Sequence, residues 1–160
     1  MLEAAPGDPV ISVDDPRKGD VRDLLDRHLE FARTWTPPEG VHALPADDLA
    51  DPAITLFSAR IHGRLLAIGA LKQLDDRHGE LKSMHTAATA RGHGLGMAMV
   101  RHLIAVARDR GLSKISLETG TMDAFAPARS LYSKAGFSPC GPFGDYSESS
   151  TSTFMTLLLR

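Results

Sequence analysis

Arg91-Gly92-His93-Gly94-Leu95-Gly96 runs without a break into Met97-Ala-Met-Val-Arg-His-Leu-Ile-Ala-Val-Ala107. Three glycines in five residues interrupt the chain. Met99, Val100, Leu103, Val106 and Ala107 then recur at helical spacing, with Arg101, His102, Arg108 and Arg110 on the outward face and Gly111 placed to end the helix. On the other side, Gly79–Thr86 reads as a half-polar strand, with Glu80, Lys82, Met84 and Thr86 expected on one face and Leu81, Ser83 and His85 on the other. The junction is therefore strand, glycine turn, helix N-terminus. Unpaired N–H groups at the positive end of a helix dipole attract anions, and glycines let a phosphate come close to the backbone. Arg91 adds a charge able to pair with it.

Spacing narrows the anion. A dinucleotide fingerprint, G-x-G-x-x-G/A, places Met97 or Met99 where its last small residue belongs. Glu118 stands in for the acidic ribose ligand of such sites, but the strand before the turn is too polar for that fold. A Walker A loop fails as well, because Met97-Ala98 stands where Gly-Lys is required.

Outward from the turn, prolines mark the regular region. Seven of the ten precede residue 53 and none falls between Ala53 and Ala126. Pro9–Val13 reads as a first strand. Asp20 is the expected N-cap of a helix carrying Val21, Leu24, Leu25, His28, Leu29 and Ala32 on one side. Thr34 to Pro45 is a long loop, with a helical turn around Ala46–Leu49. Ile54–Ile61 and Leu65–Leu71 form a hairpin about His62-Gly63-Arg64. Lys114–Leu117 is a short strand, Phe125–Ala135 a second helix after that of the glycine turn, with Pro127 in its first turn and Gly136 at its stop, and Phe154–Leu159 a closing strand.

Composition excludes several classes. Lys and Arg total 18 against 20 Asp and Glu, a net charge of −2, which speaks against nucleic-acid and anionic-membrane partners. The one cysteine, Cys140, permits neither an intramolecular disulfide nor a cysteine zinc site and suits a reducing compartment. It reads as structural rather than nucleophilic. The seven histidines show no metal-ligand spacing, so no metal is expected. No signal peptide or apolar span is visible, and a cytoplasmic chain is expected, with residues 1–9 a flexible tail and residues 10–160 one domain. The oligomeric state stays open, a homodimer included.

The motif that fits the turn is [Q/R]-x-x-G-x-G/A. About forty residues on stands Leu131-Tyr132-x-x-x-Gly136-Phe137. The two in this order resemble the GCN5-related N-acetyltransferase (GNAT) superfamily. Ser116–Gly120, Phe125–Ala128 and Cys140–Tyr146 are similar to a bacterial branch of small acetyltransferases. The resemblance implies an α/β single-domain fold, residues 10–160, with a mixed, mostly antiparallel sheet and helices on both faces. It implies transfer of an acetyl group from acetyl-CoA to a primary amine of a small molecule or peptide by direct attack. Arg91, Gly92, His93, Gly94, Leu95, Gly96 and Met97 would hold the pyrophosphate, and the backbone of Met84, His85 and Thr86 the pantetheine arm and acetyl carbonyl, in the manner of an added strand. Tyr132 would be the general acid for the departing sulfur. In one departure, Phe125 stands where many members carry an asparagine that touches the cofactor.

A catalytic base is also needed, because an alkyl ammonium of pKa ~10.4 is only about one part in a thousand neutral near physiological pH. Glu118, Glu80 and His85 are the candidates. Arg129 and Lys134 are expected to face water, Phe31 to pack in the core, and Trp35 stands beside the proline loop. The alternative from another functional class is a non-catalytic acyl-CoA-binding or sensing domain.

Overall fold

The computed structural model describes residues 8–159, so the tail expected over 1–9 lies largely outside the described residues. Strand β1 (Val10–Val13) leads to helix α1 (Gly19–Trp35), then to strands β2 (Ile54–Ile61), β3 (Arg64–Gln73) and β4 (His78–Thr86). Helix α2 (Leu95–Asp109), β5 (Lys114–Gly120), α3 (Ala126–Lys134), β6 (Ser138–Cys140) and β7 (Ser152–Leu158) follow. The seven strands form one sheet in the order β1-β2-β3-β4-β5-β7-β6. Every pairing is antiparallel except that of β4 with β5, which α2 connects.

Alternation along the strands divides the core between the two faces. Ile68 and Ala70 of β3, with Leu56, meet Val21, Leu24 and Leu25 of α1. Ala67 and Leu71 of β3 look the other way, onto Met99, Val100, Leu103 and Ala107 of α2. Each large buried aliphatic contributes ~1.5–3 kcal/mol relative to exposure, so both helices are held chiefly by these stripes. Ile104 and Leu95 join the α2 stripe. His102 does not face outward as expected: its Nε2 is buried and its ring stands edge-on to Phe57 at 5.0 Å.

Asp20 is not the cap of α1. The helix begins at Gly19 with Lys18 at the N-cap and no capping side chain. Asp20 instead accepts two hydrogen bonds from Arg60 (2.6 and 3.0 Å), whose guanidinium also reaches Asp14. This network holds both carboxyls below their usual range, Asp20 chiefly through its hydrogen bond to Arg60 and Asp14 through Ser58 first, and overcomes the opposing desolvation. The helix expected from Phe125 starts at Ala126 after a short 3₁₀ turn, and the last strand begins two residues early, at Ser152, because its first two residues pair with Gly120 and Thr119 at the end of β5. Among the described residues no helix is long and apolar enough to cross a membrane.

Candidate functional site

Strand β4 makes the site by leaving its neighbour. It pairs with β5 only from His78↔Lys114 to Leu81↔Leu117, although both strands run on. Its pairing with β3 slips between Ile68 and Ala70, and Ser83 takes a left-handed φ of 55°. This is a β-bulge, an extra residue that bends the strand and reverses which face the following side chains point to. The simple alternation expected for Gly79–Thr86 therefore fails. Glu80, Lys82 and His85 share the α1 side, whereas Met84 turns toward α2, its sulfur beside Met99 at Gly69. Beyond Leu81 the β5-facing edge of β4 has no strand partner among the described residues.

Two hollows flank this bend. On the α1 side, a partly open cavity of 140 Å³ is lined by α1, the Thr36–Leu44 loop, β4, β5 and Tyr146. On the α2 side, a cleft of 400 Å³ runs past Thr86, Arg91, Gly92, Gly94, Leu95 and Gly96. Phe31, Met84, His85, Ala128 and Tyr132 border both. Gly92 and Gly94 have φ of 82° and 78°, and a Cβ built on either would meet nothing within 4 Å, so the outer face of the turn is open. Gly94 caps α2 without a side-chain bond, and the first intrahelical bond runs from the Ala98 N–H to the Gly94 carbonyl. The N–H groups of Leu95, Gly96 and Met97 thus remain without intrahelical acceptors. The turn fits an anionic group such as a pyrophosphate. His93 and Met97 lie in it but border neither hollow.

The buried ionisable groups separate by partner. Glu80 is 3% exposed and accepts from the Tyr146 hydroxyl (2.6 Å) and Lys82 Nζ (3.0 Å), while Lys82 also donates to the Tyr146 oxygen (3.1 Å). These three form a closed group. Glu118 has no such partner. Burial pushes its carboxyl up to about 7; nearby Ser152 and Lys82 favour the anion, and Glu80 opposes it. The Ser152 hydroxyl meets no partner at full hydrogen-bond geometry. Tyr132 is buried, its ring edge-on to Phe137, and burial followed by the Glu118 charge raises its phenol well above the usual range. His85 and His28 meet Nδ1 to Nδ1 at 3.1 Å, and burial pushes them down to about 4 and about 3, so both are neutral at physiological pH.

The acid and base candidates thus converge on one cavity, with the glycine turn on the far side of Tyr132. Phe31 lines that cavity instead of the core, edge-on to Phe125 at 5.3 Å, while Trp35 stays 52% exposed outside it. Arg129 does not face water: it donates to the Gly120 and Met122 carbonyls. Tyr146 was missed in the sequence, since a tyrosine in a Gly/Pro/Ser-rich connection carries no periodic signal. Burial raises the Cys140 thiol, as suits a structural cysteine. No group of three or more His, Cys, Asp or Glu able to hold a metal occurs among the described residues.

The sequence matches the acetyltransferase (GNAT) family over residues 21–137, from the first turn of α1 to the end of the Leu-Tyr-x-x-x-Gly-Phe motif. The chain belongs to that family. It is accordingly an acetyl-CoA-dependent N-acetyltransferase. It is 44% identical to the uncharacterized N-acetyltransferase YsnE of Bacillus subtilis over 91% of this chain and 97% of that one. It is 42% identical to the uncharacterized N-acetyltransferase YedL of Escherichia coli over 93% and 94%. A GNAT family acetyltransferase from Elizabethkingia anophelis, solved with acetyl-CoA bound, shares the fold with a TM-score of 0.71 at 18% identity, covering 94% of this chain and 98% of that one.

Proposed function

We propose that this acetyltransferase moves the acetyl group of acetyl-CoA directly to a primary amine of a small molecule or peptide, with Tyr132 as general acid and Glu118 as base. The observation that carries the reading is the position of Tyr132 on the wall common to the cavity and the cleft. Arg91 and the Gly92–Met97 backbone would hold the pyrophosphate, and the free edge of β4 at Met84, His85 and Thr86 would align the pantetheine arm. The acceptor amine would enter from the α1 side.

Glu118 is preferred because the other two candidates are committed or too weakly basic. Glu80 already accepts from Tyr146 and Lys82. His85, pushed down to about 4, is a feeble base for an ammonium. A carboxyl near 7 has enough basicity to take a proton and is ionised often enough to do so at neutral pH.

The protons balance as follows. One proton of the ammonium passes to Glu118 and on to solvent. The amine lone pair attacks the thioester carbon, the C–N bond forms, and the C–S bond breaks with its electron pair going to sulfur. Tyr132 gives its proton to sulfur, and the second amine proton restores the phenol. The raised Tyr132 pKa keeps the phenol protonated at every working pH, so it is always loaded as a donor.

Thermal unfolding with and without cosubstrate tests the binding half: acetyl-CoA should raise the melting temperature, and NAD or ATP should not. No shift with acetyl-CoA removes the reading.

A further inference from the structure

We infer that the acceptor is a small monoamine with a single ring-sized apolar group and no carboxylate, held in the α1-side cavity with its ammonium at Glu118. The inference rests on the proposed function and adds the chemical class of its substrate.

Size comes first. A cavity of about 150 Å³ lined by apolar side chains takes up one benzene, and this one holds 140 Å³. Part of its apolar wall is aromatic. Phe31 and Phe125 meet edge-to-face at 5.3 Å, and Val41 and Leu44 lie on the loop opposite. Phe125 is fixed in place because its ring lies directly on Gly120, where a Cβ would overlap it. A flat ring fits such a wall better than a hydrated chain does.

Charge decides the rest. Among the described residues Lys82 is the only lysine or arginine bordering the cavity, and its ammonium is held by Glu80 and Tyr146. An acceptor carboxylate would find no uncommitted cation and would face two glutamates, a like-charge arrangement that disfavours binding. Of the two glutamates that line the cavity, Glu118 is the one without a cation in hydrogen-bond contact among the described residues, which matches one ammonium. A second or third ammonium, as in a polyamine or aminoglycoside, would be desolvated and would meet only Glu80, which Lys82 and Tyr146 already engage. The neutral His28–His85 pair adds no positive charge to repel the amine. The Ser83 hydroxyl, 8% exposed at the bulge, borders this cavity with no hydrogen-bond partner. Buried hydroxyls seldom go unpaired, and a polar group of the bound acceptor or acetyl donor would satisfy it.

The test is CoA release with 2-phenylethylamine, phenylalanine, propylamine and spermidine, run beside thermal unfolding with acetyl-CoA. Phenylethylamine and phenylalanine differ only in the carboxylate. We expect kcat/KM for phenylethylamine at least tenfold above each of the others. Phe125→Ala should cut its advantage over propylamine about tenfold, the discrimination expected of a hydrophobic subsite. Equal or better turnover of phenylalanine or spermidine overturns the acceptor class and leaves acetyl transfer standing. No turnover of any of the four, in a protein that acetyl-CoA stabilises, overturns the class alone. Absence of that stabilisation overturns the functional reading beneath it.

Discussion

Glu118→Gln should make the protein more stable, by an amount that grows with pH. Burial lifts the Glu118 carboxyl from its usual 4.5 to about 7 in the folded chain. Below about pH 4.5 the group is protonated whether the chain is folded or not, and its burial carries no ionic penalty. As pH rises toward 7, the unfolded chain loses the proton first, so the folded state binds more protons and stability falls with pH. Above about pH 7 the folded protein must hold a buried anion, and the loss levels off near 2.3RT times the gap, about 3 kcal/mol. Glutamine keeps the shape and removes the charge. Urea unfolding of both proteins near pH 5 and near pH 8 should show the variant's advantage widening by about 2–3 kcal/mol between the two, roughly 4–12 °C in melting temperature for a chain of this size. In the same variant, kcat/KM should fall and lose its rise through pH 7. An advantage that is constant with pH would show that Glu118 is not held protonated by its surroundings, and the assignment of base would go with it.

Tyr132→Phe should lower kcat by ~100-fold or more, the low end for a general acid, while acetyl-CoA still raises the melting temperature by the wild-type amount; a wild-type rate rejects the acid role. Glu80→Gln should destabilise the fold by about 3–5 kcal/mol, since it leaves Lys82 buried without its counter-charge. Urea unfolding measures the loss, and Glu80→Gln combined with Lys82→Met should recover most of it. Gly94→Ala forces a side chain to adopt φ of 78° at a position with open space around it, so strain alone should cost about 1 kcal/mol. Titration with CoA should show weaker binding in that variant, and unchanged affinity would argue against close backbone approach. Gly69→Ala would bring a Cβ within 2.7 Å of Met84 Sδ and Met99 Cγ; overpacking should destabilise by ~1–3 kcal/mol.

Periodicity and glycine placement made most of this architecture legible. The stripes of α1 and α2, the β2–β3 hairpin and the glycine turn before α2 all follow from residues that interact with near neighbours in sequence. The parts that escaped depend on distant partners. Asp20 looks like a cap until Arg60, forty residues on, claims its carboxylate. Arg129 looks solvated until the chain turns and brings the Gly120 and Met122 carbonyls within reach. Glu80 and Glu118 looked equivalent as bases, and only the arrival of Tyr146 from the connection between β6 and β7 tells them apart. Side-chain type was readable in each case, but its partner was not.

The Ser83 bulge had no sequence signal at all, yet it links the two halves of the site. With strict alternation, Met84 would have joined Glu80 and Lys82 beneath α1, and His85 would have turned to α2. The extra residue reverses this. Met84 moves into the apolar layer under α2, where the missing side chain at Gly69 gives it room, and His85 reaches His28. The same bend carries the end of β4 away from β5 and frees the edge on which the acetyl donor would align. Strain in one residue, a serine held at φ of 55°, is thus offset by packing on one face and a histidine contact on the other. Relaxing it would close the gap between β4 and β5 and bury the strand edge in ordinary sheet hydrogen bonds. A glycine at position 83 tolerates the same φ without strain. Ser83→Gly should therefore keep the fold while removing the unpaired hydroxyl; a raised acceptor KM at unchanged acetyl-CoA stabilisation would assign the hydroxyl to the acceptor, and weaker acetyl-CoA stabilisation would assign it to the donor.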